Sequence, residues 1–116
     1  MRRIEHISAS AVRRQIAEGR LTSVEATKAA FDRIDAHEEA IGAYITTFRR
    51  EAMDTAAQID RRIAQAEKVG PLAGVPVAVK DNMCTTFGTT TCASKILSSF
   101  VSPYNATVID KLLDAD

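Results

Sequence analysis

The chain has 116 residues, 46% hydrophobic and 26% charged, a globular composition on the scale of one small domain. Its 15 basic and 15 acidic residues cancel to zero formal charge, whereas a chain that grips a phosphate backbone carries an excess of Lys and Arg. No apolar run approaches the roughly 20 residues that span a bilayer. The charged start Met1-Arg2-Arg3-Ile4-Glu5-His6 leads into no apolar signal core, so a cytoplasmic protein is expected.

The first two-thirds reads as helices. Residues 8–18 place Val12 and Ile16 on one side, and Gly19 is a natural stop. Thr22-Ser23-Val24-Glu25 has the form of a capping box, in which the Thr22 hydroxyl and the Glu25 carboxylate satisfy each other's backbone amides. Behind it Val24, Thr27, Phe31 and Ile34 recur at helical spacing and predict a helix ending near His37 or Glu38. Residues 42–48, GAYITTF, are short and rich in aromatic and β-branched side chains, which predicts a strand. A long helix is predicted over 49–68, with Ala52, Ala56, Ile59, Ile63 and Ala66 inward and Arg50, Asp54, Arg61 and Arg62 toward water. Gly70-Pro71 would stop it. Its alanine stripe suits close packing on a neighbour, and its charged face suits a solvated outer element.

The texture then changes. Residues 71–79 are apolar, and 75–79 lack polar alternation, as in a strand covered on both faces of a parallel or mixed sheet. Pro76 fits only near the start of such a strand. A loop follows Lys80-Asp81-Asn82, with hydroxyls from Thr85, Thr86, Thr89, Thr90 and Thr91. Short helices are predicted over 94–99 and from Thr107 onward behind an Asn105 cap, the last with Val108, Ile109, Leu112 and Leu113 as its apolar face. A two-faced apolar strand needs partners that the rest of the chain does not offer, so a truncated chain is expected. Cys84 and Cys92 have neither a nearby His nor a C-x-x-C spacing. They read as two reduced, partly buried thiols and not as a zinc site.

Lys80 is the candidate functional residue. It closes the apolar run, at the strand end where α/β proteins place their chemistry. A lysine in such a setting spends free energy to keep its charge, and a neutral amine can act as a general base. The plain alternative is a lysine that snorkels to solvent or pairs with Asp81.

The segment 71–97, PLAGVPVAVKDNMCTTFGTTTCASKIL, resembles the lysine-bearing block of the amidase-signature family. Its part 90–97, TTCASKIL, is similar to the A subunits of the tRNA-dependent amidotransferases, and the likeness continues through 103–108, PYNATV. It is strong from Gly70 onward and loose before it. The resemblance implies an α/β fold, the N-terminal part of a mixed sheet covered by helices. Residues 1–116 would form part of one such domain, mainly helical over 1–69, with the lysine-bearing strand, loop and helices over 70–116.

The resemblance also implies a Ser–cis-Ser–Lys triad with Lys80 as its base, acting on glutamine to release ammonia. Its two serines lie in a Gly/Ser-rich segment that these residues do not contain. Ser94, Ser98, Ser99 and Ser102 lack adjacent glycines to supply oxyanion donors and are not assigned to it. Asp81 and Asn82 match family positions beside the lysine and read as groups that orient it. The glycine expected directly after Cys-Thr-x falls one place later, as Phe87-Gly88, which touches only the local turn. The resemblance implies no cofactor or metal in this chain. ATP and magnesium belong to a partner B subunit, which reaches the tRNA, and a small C subunit holds the two together. A free-standing amidase and a non-catalytic helical interaction module remain the other readings.

Overall fold

The computed structural model describes residues 8–116. The opening segment that bears on a secretory signal lies outside them. Contacts divide the chain into two compact units: one runs to Pro76 and takes in Ala115–Asp116, and the other is Val77–Asp114. The boundary falls a few residues beyond the expected change of texture at 70.

The first unit is helical because its stop and start signals are strong. Helix α1 (Ala9–Ala17) begins at Ser8, whose hydroxyl accepts from the Ala11 amide. It ends in a Schellman turn: Gly19 sits at φ +67, its amide donates to the Ile16 carbonyl, and Arg20 donates to that of Gln15. Helix α2 (Ser23–Ile41) carries the full capping box, with the Glu25 amide on Thr22 Oγ1 at 3.1 Å and the Thr22 amide on Glu25 Oε2 at 2.8 Å. It runs past the expected end at His37 or Glu38, because Gly42 at φ +62 supplies the left-handed cap that those residues do not.

Helix α3 (Arg49–Ala64) stops earlier than predicted. Ala66 adopts φ +55 and closes a second Schellman turn, with Ala66 donating to Ile63 and Glu67 to Arg62. The helix therefore ends before Gly70-Pro71, and Ala66 is exposed instead of inward.

Helices α2 and α3 run antiparallel. The C-terminal half of α3 reaches the start of α2, where Asp60 accepts from the Ser23 and Val24 amides at 2.7 and 3.0 Å. The start of α3 meets the far half of α2, where Arg49 lies 4.5 Å from the Phe31 ring centroid and pairs with Asp35. The Asp60 carboxylate thus satisfies two of the four orphan amides at an N-terminus and sits at the positive end of the α2 dipole. Val12, Ile16 and Ala26 form the buried cluster, with Leu21, Ile63 and Val75 packed against it. Gly74 makes this closure possible: at φ +80, a Cβ there would lie 2.2 Å from Ser23 Oγ. The end of the unit is held by Asp116, which accepts from Arg62 Nη1 and from the Gly70 amide, each at 2.6 Å.

Neither predicted strand forms. Residues 42–48 are an irregular connection with Ile41, Tyr44 and Ile45 exposed, since the left-handed turn at Gly42 diverts the chain out of extended geometry. Residues 75–80 join no ladder among the described residues, and Val77 and Val79 are exposed. Their composition suits a covered strand, but a strand is a property of pairs, and no described segment offers this run its amides and carbonyls.

The second unit contains helix α4 (Thr107–Asp114), a 3-10 turn at Lys95–Leu97 where a short helix over 94–99 was expected, and one antiparallel bridge between Thr89 and Val101. Asn105 does not cap α4. Ala106 occupies the capping position, its carbonyl accepting from Ile109 and Asp110. The Asn105 side chain instead accepts from the Thr86 amide at 2.8 Å and donates to Asp110. Ile109 is the buried residue of α4, whereas Val108 and Leu113 are exposed.

A candidate catalytic lysine and the loop that clasps its neighbour

Lys80 is exposed, at the point where the extended run turns into the threonine-rich loop. The described residues do not build the apolar setting that its sequence position suggests, because the preceding valines are themselves uncovered. Its carbonyl accepts from the Met83 amide at 3.0 Å, which fixes a tight turn directly after it.

Asp81 does not pair with Lys80. Its carboxylate turns to Thr91, accepting from the Thr91 hydroxyl through Oδ2 and from the Thr91 amide through both oxygens at 3.2 Å. Its own carbonyl accepts from the Cys92 amide at 3.0 Å. The Thr91 hydroxyl in turn accepts from the Ala93 amide at 3.1 Å, and Thr91 is buried. Among the described residues Lys80 has no carboxylate partner, so the alternative in which it pairs with Asp81 is not the arrangement found. Asn82 is exposed and takes no part in this network.

The clasp holds backbone that would not choose its own conformation. Cys92 and Ala93 follow Thr91 at φ +50 and +57, two consecutive non-glycine residues in the left-handed region. Such residues cost about 1–3 kcal/mol each and persist where surrounding bonds over-determine them. Here those bonds are the Asp81 carbonyl on Cys92 and the Thr91 hydroxyl on Ala93. Thr85 and Thr90 are buried nearby in the same loop, joined by the Thr85 amide on Thr90 Oγ1. The sequence signalled many hydroxyls, but not that Thr91 would take the Asp81 carboxylate.

The serines of this unit differ in setting, with Ser94 half-buried. Ser102 is buried, its hydroxyl donating to the Tyr104 carbonyl at 2.7 Å in a local turn, while Ser98 and Ser99 are exposed. Cys84 is half-buried and Cys92 exposed, both as free thiols, so only one matches the expected partial burial. Among the described residues, no group of three or more His, Cys, Asp or Glu side chains could hold a metal ion. No helix among them is long and apolar enough to cross a membrane.

The sequence model of the amidase family matches residues 25–116. The A subunit of the glutamyl-tRNA(Gln) amidotransferase of Natranaerobius thermophilus is 46% identical over 113 residues, covering 97% of this chain and 23% of that protein. Among solved structures, one described as an unexpected vestigial protein complex revealing the evolutionary origins of an s-triazine catabolic enzyme superposes with a TM-score of 0.86. It is 29% identical and covers 94% of this chain and 24% of its own. A bacterial aryl acylamidase of the amidase-signature family superposes with a TM-score of 0.74 at 25% identity, over 95% of this chain and 23% of its own. The chain belongs to the amidase family, and its fold is part of the amidase-signature fold. It spans about a quarter of the length of the curated relatives it matches.

Proposed function

We propose that this chain is the lysine-bearing part of the glutaminase subunit of a tRNA-dependent amidotransferase, with Lys80 as the general base. In the full-length protein a serine attacks the amide carbon of glutamine. A second serine relays its proton toward the Lys80 amine. The acyl-enzyme is hydrolysed and ammonia is released. A B subunit then uses that ammonia, with ATP and magnesium, to amidate Glu or Asp mischarged on tRNA, and a C subunit holds the pair. On this reading both serines belong to a segment that these residues do not contain.

The observation that carries this reading is the 46% identity to an amidotransferase A subunit over 97% of the chain, running through Lys80. A free-standing amidase has weaker support, since the aryl acylamidase is 25% identical over a similar share.

The test is Lys80→Ala in the full-length protein. Ammonia release from glutamine should fall by about 10⁴-fold or more, the scale for loss of one member of a catalytic triad. Co-purification with the other subunits should be unchanged, since Lys80 buries nothing here. A retained rate rejects Lys80 as the base. The 116-residue chain by itself should release no ammonia from glutamine.

A further inference from the structure

We infer that Thr91 is a positioning residue for Lys80, acting by holding the Asp81 carboxylate away from the lysine amine. The inference rests on the reading of Lys80 as the base and adds to it the device that keeps that base available.

Lys80 and Asp81 are adjacent in sequence, and a free aspartate beside a lysine is a ready ion-pair partner. An opposite charge at close range favours the ammonium form, which cannot accept a proton. A carboxylate engaged elsewhere leaves the neighbouring amine without a close ion-pair partner. In this structure the Asp81 carboxylate is so engaged: the Thr91 hydroxyl and amide both donate to it, from ten positions along the chain. Hydrogen bonds to an ionised acceptor are the strong ones, and these join a buried Thr91 to a part-buried carboxylate.

The strained backbone is a second, independent observation. Cys92 and Ala93 hold left-handed conformations immediately after Thr91. The bonds that hold them come from Asp81 and Thr91. A loop whose sole task was to connect could relax this pair. Holding it instead keeps the Thr91 amide and hydroxyl aimed at one carboxylate. Together with the turn that ties the Lys80 carbonyl to Met83, this sets the direction in which the lysine leaves the backbone.

The test uses the full-length protein and three variants, read by steady-state glutamine hydrolysis and by thermal melting. Thr91→Val keeps the shape and removes the hydroxyl. It should lower kcat by about tenfold to a hundredfold, the cost of a misplaced catalytic group, with KM for glutamine unchanged. Thr91→Ser restores the hydroxyl and should return kcat to within about threefold of the parent, since one positioned donor is regained. Lys80→Ala is the reference for a missing base. A parental kcat for Thr91→Val, alongside an inactive Lys80→Ala, overturns this inference and leaves the base assignment standing. An active Lys80→Ala overturns both. A rise in KM alone, or a Thr91→Ser variant as impaired as Thr91→Val, also overturns the positioning role. Should Thr91→Val lose its melting transition, Thr91→Ala against Thr91→Ser supplies the same contrast.

Discussion

The two units of this chain are stabilised in different ways. The first closes on itself: Val12, Ile16, Ala26, Phe31, Ala56 and Ile59 are buried, the starts of α1 and α2 are capped by side chains, and all three helices stop at left-handed turns. In the second, Ile109 is the buried large apolar side chain, while Val77, Val79, Phe87, Ile96, Phe100, Val101, Tyr104, Val108 and Leu113 are exposed. Its other buried residues are Thr85, Thr90, Thr91 and Ser102, four hydroxyl residues beside one large apolar side chain, whereas the first unit buries Ser23 and Thr27 beneath a larger apolar set. Apolar contact is non-directional and tolerates small shifts, whereas a buried hydroxyl demands a specific partner at a specific distance. A region built on the second kind of contact defines positions more sharply, which suits one that presents a catalytic group.

Four tests probe this comparison, each read as melting or denaturant stability of the 116-residue chain. The largest effect is expected at Gly74, where a Cβ would meet Ser23 Oγ at 2.2 Å and the backbone sits at φ +80. Gly74→Ala should cost about 3 kcal/mol or more, combining left-handed strain with overpacking. A near-parental melt would show that the first unit is looser than its geometry states. Next comes a paired test of burial. Ile16→Ala, at a residue 2% exposed, should cost about 2–4 kcal/mol. Ile96→Ala, at a residue 92% exposed, should stay within about 0.5 kcal/mol. Similar losses at the two positions would erase the distinction between the units.

Asp60→Ala removes the acceptor of two α2 amides and should cost about 1–2 kcal/mol. Asp60→Asn, which keeps an acceptor oxygen, should recover part of that. The smallest effect concerns acid. The hydrogen bonds from Arg62 and from the Gly70 amide hold the Asp116 carboxyl below the usual aspartate range. A lowered native value means that this contribution is full above about pH 4, the ordinary aspartate value, and is lost as pH falls from there through the native value. Asp116→Asn should therefore flatten the acid limb of the stability curve below about pH 4, with its loss relative to the parent present in full at neutrality and vanishing as the two converge in acid. An unchanged acid limb would exclude the Arg62–Asp116 pair as a contributor.

Much of the first unit was legible because its signals are local. The Gly19 stop and the Thr22–Glu25 box each involve residues within a turn or two of one another, so their spacing in sequence is their spacing in space. Where the reading missed, a competing local conformation won or a partner was needed. Gly42 prolonged α2 and Ala66 ended α3 early, each through a left-handed turn that composition does not announce. Residues 42–48 and 75–79 have the side chains of strands, yet strand formation depends on a neighbour's backbone, which no residue in those runs encodes. The candidate site divides the same way. Lys80 stood out from its place after an apolar run, and the family resemblance named its role, but its exposure here was not expected.

Residue order alone therefore settled the Gly19 stop and the α2 capping box, the family, and Lys80 as the residue to test. Two pairings were decided only on folding: Asp60 on the start of α2, thirty-seven positions back along the chain, and Asp81 on Thr91 in place of the lysine beside it. In both cases a carboxylate had acceptable partners close by in sequence. The choice fell to whichever donors the folded backbone brought to its oxygens in a part-buried setting, where a charge-assisted hydrogen bond outweighs an exposed ion pair.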